Sequence, residues 1–134
     1  NDMANKYRAE IPFEVDGKSY TLRLSQNDIV GLEGKDELGM RALQFLSHLN
    51  ETGIGLRESL LILRRGLVTG SDLTSMKALK IMEDLPFTEL SGPAITLLSF
   101  GLGLRVEEDK EKQTQESVKS EEDQADPLAM KTDM

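Results

Sequence analysis

The chain of 134 residues has no cysteine and no tryptophan. Disulfide bonds and thiolate chemistry are therefore excluded, and nothing points to an oxidising compartment. Aromatic residues are scarce, at four Phe and two Tyr, so a stacking platform for single-stranded nucleic acid is not expected. Positive charge is also short: 24 acidic against 16 basic side chains give a net charge of −8. Of this, −5 falls in residues 105–134, which hold ten acidic and five basic side chains, leaving −3 for residues 1–104. Neither part has the basic footprint of wholesale nucleic-acid binding. No apolar run approaches the roughly 20 residues of a membrane span. The first ten residues lack the apolar stretch of a signal peptide. A soluble, cytoplasmic protein is expected. Asn1 and Asp2 precede Met3 and read as a processing scar.

The stretch Leu56 to Val68, LRESLLILRRGLV, organises what is present. At about 100° per residue it puts Leu56, Leu60, Leu63 and Leu67 on one stripe. Leu61, Val68 and Ile62 flank that stripe on both sides, and only Arg57, Glu58, Arg64 and Arg65 form a wet edge. Such a helix is expected to be enclosed by other elements. Ser59 and Gly66 share a face without bulk, where another backbone can come close. The run Gly66 to Gly70 is expected to end the helix.

Upstream, Ala9, Ile11, Phe13 and Val15 alternate with polar residues or proline, and Tyr20, Leu22 and Leu24 do so after Asp16-Gly17. Asp-Gly is a preferred pair for a two-residue type I′ turn. That turn sets Phe13 opposite Tyr20, Ile11 opposite Leu22 and Ala9 opposite Leu24, with Glu10 opposite Arg23 on the other face. Pro12 then falls at a non-hydrogen-bonded position and makes the first strand an edge.

Ser25 is the expected N-cap of a helix from Gln26 to Glu33, with Asp28 completing a capping box and Ile29, Val30 and Leu32 inward. Gly34 stops it. A second helix is expected from Asp36 to Leu49, with Leu38, Ala42, Phe45, Leu46 and Leu49 inward. Ser71 or Asp72 then caps a fourth helix reaching Leu85. A fifth runs from Thr88 to Leu102, its regular part beginning at Gly92 because Pro93 is best tolerated at a helix start. The expected fold is mainly α with an N-terminal β-hairpin: an extension at 1–8, a domain of four to five helices behind the hairpin at 9–104, and a disordered acidic tail at 105–134.

Three pieces in this order carry a family resemblance: FEVDGKSYTLRL, then SQNDIVGLEGKDELG with its Leu32-Glu33 pair, then LLILRRGL and ITLLSFGL. Over residues 4–104 the chain resembles a gene-transfer-agent and prophage family labelled tail tube or tail assembly protein. It departs from that pattern at Gly34, where members tend to continue the helix. The resemblance implies a phage tail assembly chaperone, which binds the tape measure protein and other tail proteins and leaves as tube subunits polymerise. The competing label, a structural tail (tube) component retained in the particle, expects a β-sandwich or barrel, and this chain offers one hairpin. A third reading is a small helical regulatory or DNA-associated protein, which the mild acidity of residues 1–104 disfavours.

A chaperone surface must accept varied apolar helices, and methionine repacks at little cost. Met40, Met76 and Met82 are the candidate partner-binding residues, although the same side chains also fit an ordinary core. The edge of the first strand offers pairing with a second copy, blunted by Pro12. No catalytic, cofactor or metal-binding residues are expected, and neither nucleic acid nor membrane is expected as a partner. His48 is the sole histidine and has no acidic residue at i±4. Gly53-Ile54-Gly55 and Gly101-Leu102-Gly103 read as helix ends rather than nucleotide loops. Lys77, Lys80, Arg64 and Arg65 form at most a small basic patch.

Overall fold

A computed structural model describes residues 10–104. Strands β1 (Ile11–Val15) and β2 (Lys18–Leu22) are followed by helices α1 (Gln26–Leu32), α2 (Ala42–Thr52), α3 (Leu56–Ser71), α4 (Ser75–Met82) and α5 (Phe87–Gly101). The fold is thus mainly α with an N-terminal hairpin. The extension at 1–8, the Ala9–Leu24 pair and the acidic tail at 105–134 lie outside the described residues.

The hairpin has the register that the Asp-Gly turn demands. Phe13 lies opposite Tyr20, Ile11 opposite Leu22 and Pro12 opposite Thr21. Asp16 and Gly17 both have positive φ, at 53° and 79°, as a type I′ turn requires. With a two-residue loop, the Pro12–Thr21 pair does not exchange ladder hydrogen bonds. The Thr21 N–H and C=O therefore point away from β1, towards α3. The Ser71 hydroxyl accepts from the Thr21 N–H and donates to its carbonyl, both at 2.8 Å, and the Arg23 N–H donates to the Gly66 carbonyl at 3.2 Å. The outer edge of β2 is stitched to α3 by these bonds.

Glycine makes that approach feasible. A Cβ on Gly70 would lie 2.3 Å from the Thr21 carbonyl oxygen, and one on Gly66 would lie 2.4 Å from Leu97 Cδ2 of α5. These two residues were expected to end α3; instead the helix continues through both to Ser71, and Asp72 terminates it at φ 59°. Tertiary contact outweighs the local cost of glycine, about 1 kcal/mol per residue. Ser59 is also fully buried, but its hydroxyl donates to the Gly55 carbonyl of its own helix at 2.9 Å.

Other boundaries shift for local reasons. α2 begins at Ala42, not Asp36, because Gly39 adopts φ 72° and residues 33–41 form a series of turns. The Glu33 carboxylate accepts from the Ala42 N–H at 2.8 Å, capping α2 from nine residues upstream. Ser71 and Asp72 belong to the end of α3, so neither caps α4; Thr74 does, accepting from the Lys77 N–H at 3.1 Å. α4 stops at Met82, short of Leu85. α5 begins at Phe87 with Pro93 inside it, rather than at Gly92. Gly92 precedes the proline and has no Cβ to clash with the proline ring, which eases the helical geometry there.

The core is built from Phe13, Val15, Leu22 and Leu24 of the hairpin region against Ile62, Leu63 and Leu67 of α3 and Leu90, Ala94, Leu97 and Leu98 of α5. Within α1, Leu32 is buried and Ile29 packs on the core, but Val30 is 68% exposed and not inward. No helix among the described residues is long and apolar enough to cross a membrane.

Candidate functional site

α3 is closed on the side facing β2 and α5 and open on the side facing α4. There Leu56, Leu60 and Leu61 of α3 and Leu79 of α4 line a trough, with Arg57 and Arg64 at its rim. A second lobe shares Leu56, Leu60 and Leu79 and continues past Met76, Lys80 and Glu83 to Leu85 and Leu90. The lobes have volumes of about 420 and 540 Å³. The expectation that the central helix would be enclosed therefore holds for only part of its circumference.

Short α4 explains why. Ala78 and Met82 face the core, while Met76 and Leu79 remain 79% and 42% exposed. Leu56 is 50% exposed. Exposed apolar residues scattered singly are ordinary, but here three converge on one trough.

The cationic rim is held by the connector between α1 and α2. Arg57 donates to the carbonyls of Glu37 and Asp36, at 3.0 and 2.9 Å. Arg64 donates to the Ser75 hydroxyl at 3.0 Å and lies 3.7 Å from the Glu37 carboxylate, and its buried Nε has no hydrogen-bond partner among the described residues. The neighbouring Arg65 meets the same Glu37 carboxylate more closely. It chelates the Glu37 carboxylate with Nε and Nη2 and reaches Asp28 at 3.3 Å. Asp28 also receives the Thr69 hydroxyl at 2.6 Å and completes the capping box with Ser25. Burial pushes Asp28 up, but the hydrogen bonds from Thr69, Ser25 and Arg65 outweigh it and hold the carboxyl below its ordinary range. Glu37 is lowered chiefly by its hydrogen bond from Arg65, and the Arg65 guanidinium is raised by the same bond. Gly31 leaves room for this, since a Cβ there would lie 2.3 Å from Arg65 Nη2.

The candidate methionines are only partly brought together. Met76 and Met82 both line the second lobe, but Met82 is 1% exposed and is a core residue at its floor, not a free contact. Met40 sits in a bend before α2 rather than on a helix, is partly buried against the core, and lines neither lobe. The trough residues that sequence reasoning passed over are Leu56, Leu60 and Leu79. Their signal was present, because α3 is apolar on more faces than its neighbours cover. The expected patch of Lys77, Lys80, Arg64 and Arg65 divides, with Arg65 neutralised by Glu37 and Asp28.

Among the described residues no group of three His, Cys, Asp or Glu is placed to hold a metal ion. His48 is exposed on α2. Gly53 is the C-cap of α2 and Gly55 the N-cap of α3, while Gly101 closes α5. These are helix ends.

The fold and trough define a small helical domain with an open apolar face. Compared with family models, curated proteins and solved structures, the chain matches none.

Proposed function

We propose that the protein is a phage or gene-transfer-agent tail assembly chaperone that works in the bacterial cytoplasm and covers apolar helical segments of the tape measure protein until the tube forms. The observation that carries this reading is the open trough of Leu56, Leu60, Met76 and Leu79. A helix laid in a groove is anchored by apolar side chains at i, i+3, i+4 and i+7, and this trough offers matching leucine and methionine surface. Covering one partly exposed Leu or Met contributes about 1–2 kcal/mol, and association itself costs several. Four such residues give binding that can be released, as a chaperone requires.

The alternative, a tube subunit retained in the particle, would join strands into rings. The described sheet has two strands, the outer edge of β2 is taken by α3, and β1 carries Pro12. The test is mass spectrometry of purified tailed particles beside the assembling lysate. The chaperone reading expects the chain in the lysate, bound to a very long helical protein, and absent from finished particles. Many copies per finished tail would overturn it in favour of the structural component.

A further inference from the structure

The trough is basic at its rim although the protein as a whole is acidic. Among the residues lining it, Arg57, Arg64 and Lys80 stand against the single acid Glu83. Lys77 is exposed one residue after Met76 and lies one turn from Lys80 on the same helix. The chain's net charge is −8, so this excess of cations around an exposed apolar surface runs against the composition. Among the described residues Arg57 has no carboxylate partner: it donates to two neutral carbonyls, which fix its position without neutralising its charge. The Arg64 contact to Glu37 is long at 3.7 Å, and Glu37 is already chelated by Arg65.

We infer that the trough takes an amphipathic α-helix whose apolar stripe is flanked by Asp or Glu, from a partner protein. This rests on the chaperone reading of the same surface and adds the charge pattern of its client. Arg57 and Arg64 are seven residues apart on α3, which sets them about 10 Å apart along the helix axis. Carboxylates two turns apart on one flank of the client would meet them. Lys77 and Lys80 on α4 would meet acids on the other flank. Such rim pairs set orientation and partner choice, while the leucines supply affinity.

The experiment titrates the full-length protein with two labelled, side-chain-stapled helical peptides. Both carry Leu at i, i+3, i+4 and i+7; one is flanked by Glu and its twin by Lys. Fluorescence anisotropy should show the Glu-flanked helix binding about tenfold more tightly at low salt, a preference that shrinks near 0.5 M NaCl as exposed charges are screened. The double variant Lys77→Glu/Lys80→Glu changes only exposed side chains and should reverse the preference, and Leu79→Gln should weaken both peptides. Equal affinities, a preference unmoved by charge reversal, or no binding of either peptide would overturn the inference. So would displacement of the Glu-flanked helix by a peptide of residues 105–134 binding more tightly, because the chain's own acidic segment would then be the occupant. The two readings fail separately. If neither peptide binds but the lysate complex forms and is absent from particles, the chaperone reading stands on another surface. If the peptides behave as stated but the chain stays in particles, the trough assignment stands and the chaperone reading falls.

Discussion

On the closed flank of α3, Ile62, Leu63 and Gly66 are buried; on the flank that faces α4, Leu60 and Leu61 are only partly covered. Leucine is abundant on both flanks, so leucine does not decide the difference. What distinguishes the closed flank is the pair Gly66 and Gly70, which admits the backbone of β2 and the side chain of Leu97. Three backbone and hydroxyl hydrogen bonds then hold the hairpin there. The open flank has no such glycine pair and faces an eight-residue helix that gives its two buried positions to the core. Closure of an apolar helix is thus set by how near a neighbour can come, and an unclosed remainder becomes available for binding.

The hardest way to break the comparison is to put a methyl group on the closed flank. Helix propensity alone favours Gly70→Ala by about 1 kcal/mol. The new Cβ would lie 2.3 Å from a backbone oxygen of Thr21 and 2.8 Å from the Arg23 nitrogen, and backbone cannot swing aside as a side-chain tip can. A net loss of about 2–4 kcal/mol is expected, read as a melting temperature lower by roughly 10 °C or more. A variant that melts higher than the parent would show that β2 does not sit against Gly70. Next in size is Gly17→Val. A β-branched residue at φ 79° in the turn should cost about 2 kcal/mol, measured by urea unfolding. An unchanged midpoint would remove the type I′ turn and with it the register that aims Thr21 at Ser71.

The electrostatic tie between α1, the connector and α3 comes third. Asp28 and Glu37 both have folded-state pKa values below their ordinary ones. Each therefore adds stability that is fully present above the unfolded carboxylate range, near pH 4, and is lost as pH falls through the depressed folded value. Asp28→Asn should cost about 1–2 kcal/mol at pH 7. It should also flatten the fall in stability between about pH 5 and pH 3, seen as urea midpoints that converge with the parent's in acid. Midpoints that stay parallel across that range would place the acid-sensitive groups elsewhere.

How much of this was legible follows from how local each cause is. The hairpin register was readable because Asp16-Gly17 and two alternating strands fix it within twelve residues. The capping box of Ser25 and Asp28 was equally local. The start of α2 was not, because it depends on Glu33 capping Ala42 across a run of turns and on Arg57 binding the Asp36 and Glu37 carbonyls from a distant helix. Gly66 and Gly70 were misjudged as terminators because the elements that need their bareness are distant in the chain: β2, more than forty residues upstream, for Gly70, and Leu97 of α5, downstream, for Gly66. Ser59 and Gly66 were read as a bare face open to another backbone, and the Gly66 half of that reading describes where Arg23 docks. The trough was hidden for a related reason. The apolar surplus of α3 is visible in LRESLLILRRGLV, but which part stays uncovered depends on α4 being short, and Thr74 rather than Ser71 sets its start.

The smallest expected effect on stability belongs to the open flank, and there the comparison is sharpest. Met76 and Leu79 expose most or much of their side chains in the folded protein, so polar replacement removes little buried area. Met76→Gln/Leu79→Gln should change unfolding free energy by less than about 1 kcal/mol, with Gln keeping the helix propensity of Met and Leu. The same pair supplies much of the apolar wall of the trough, so under the proposed function co-purification with a long helical protein in an assembling lysate should drop severalfold. A fall in binding without a fall in melting temperature would separate the two flanks by function: one holds the fold together and the other is free to hold something else. A large loss of stability would instead show that the second lobe closes in the free protein. Its surface would then count with the core, and the distinction between the flanks would disappear.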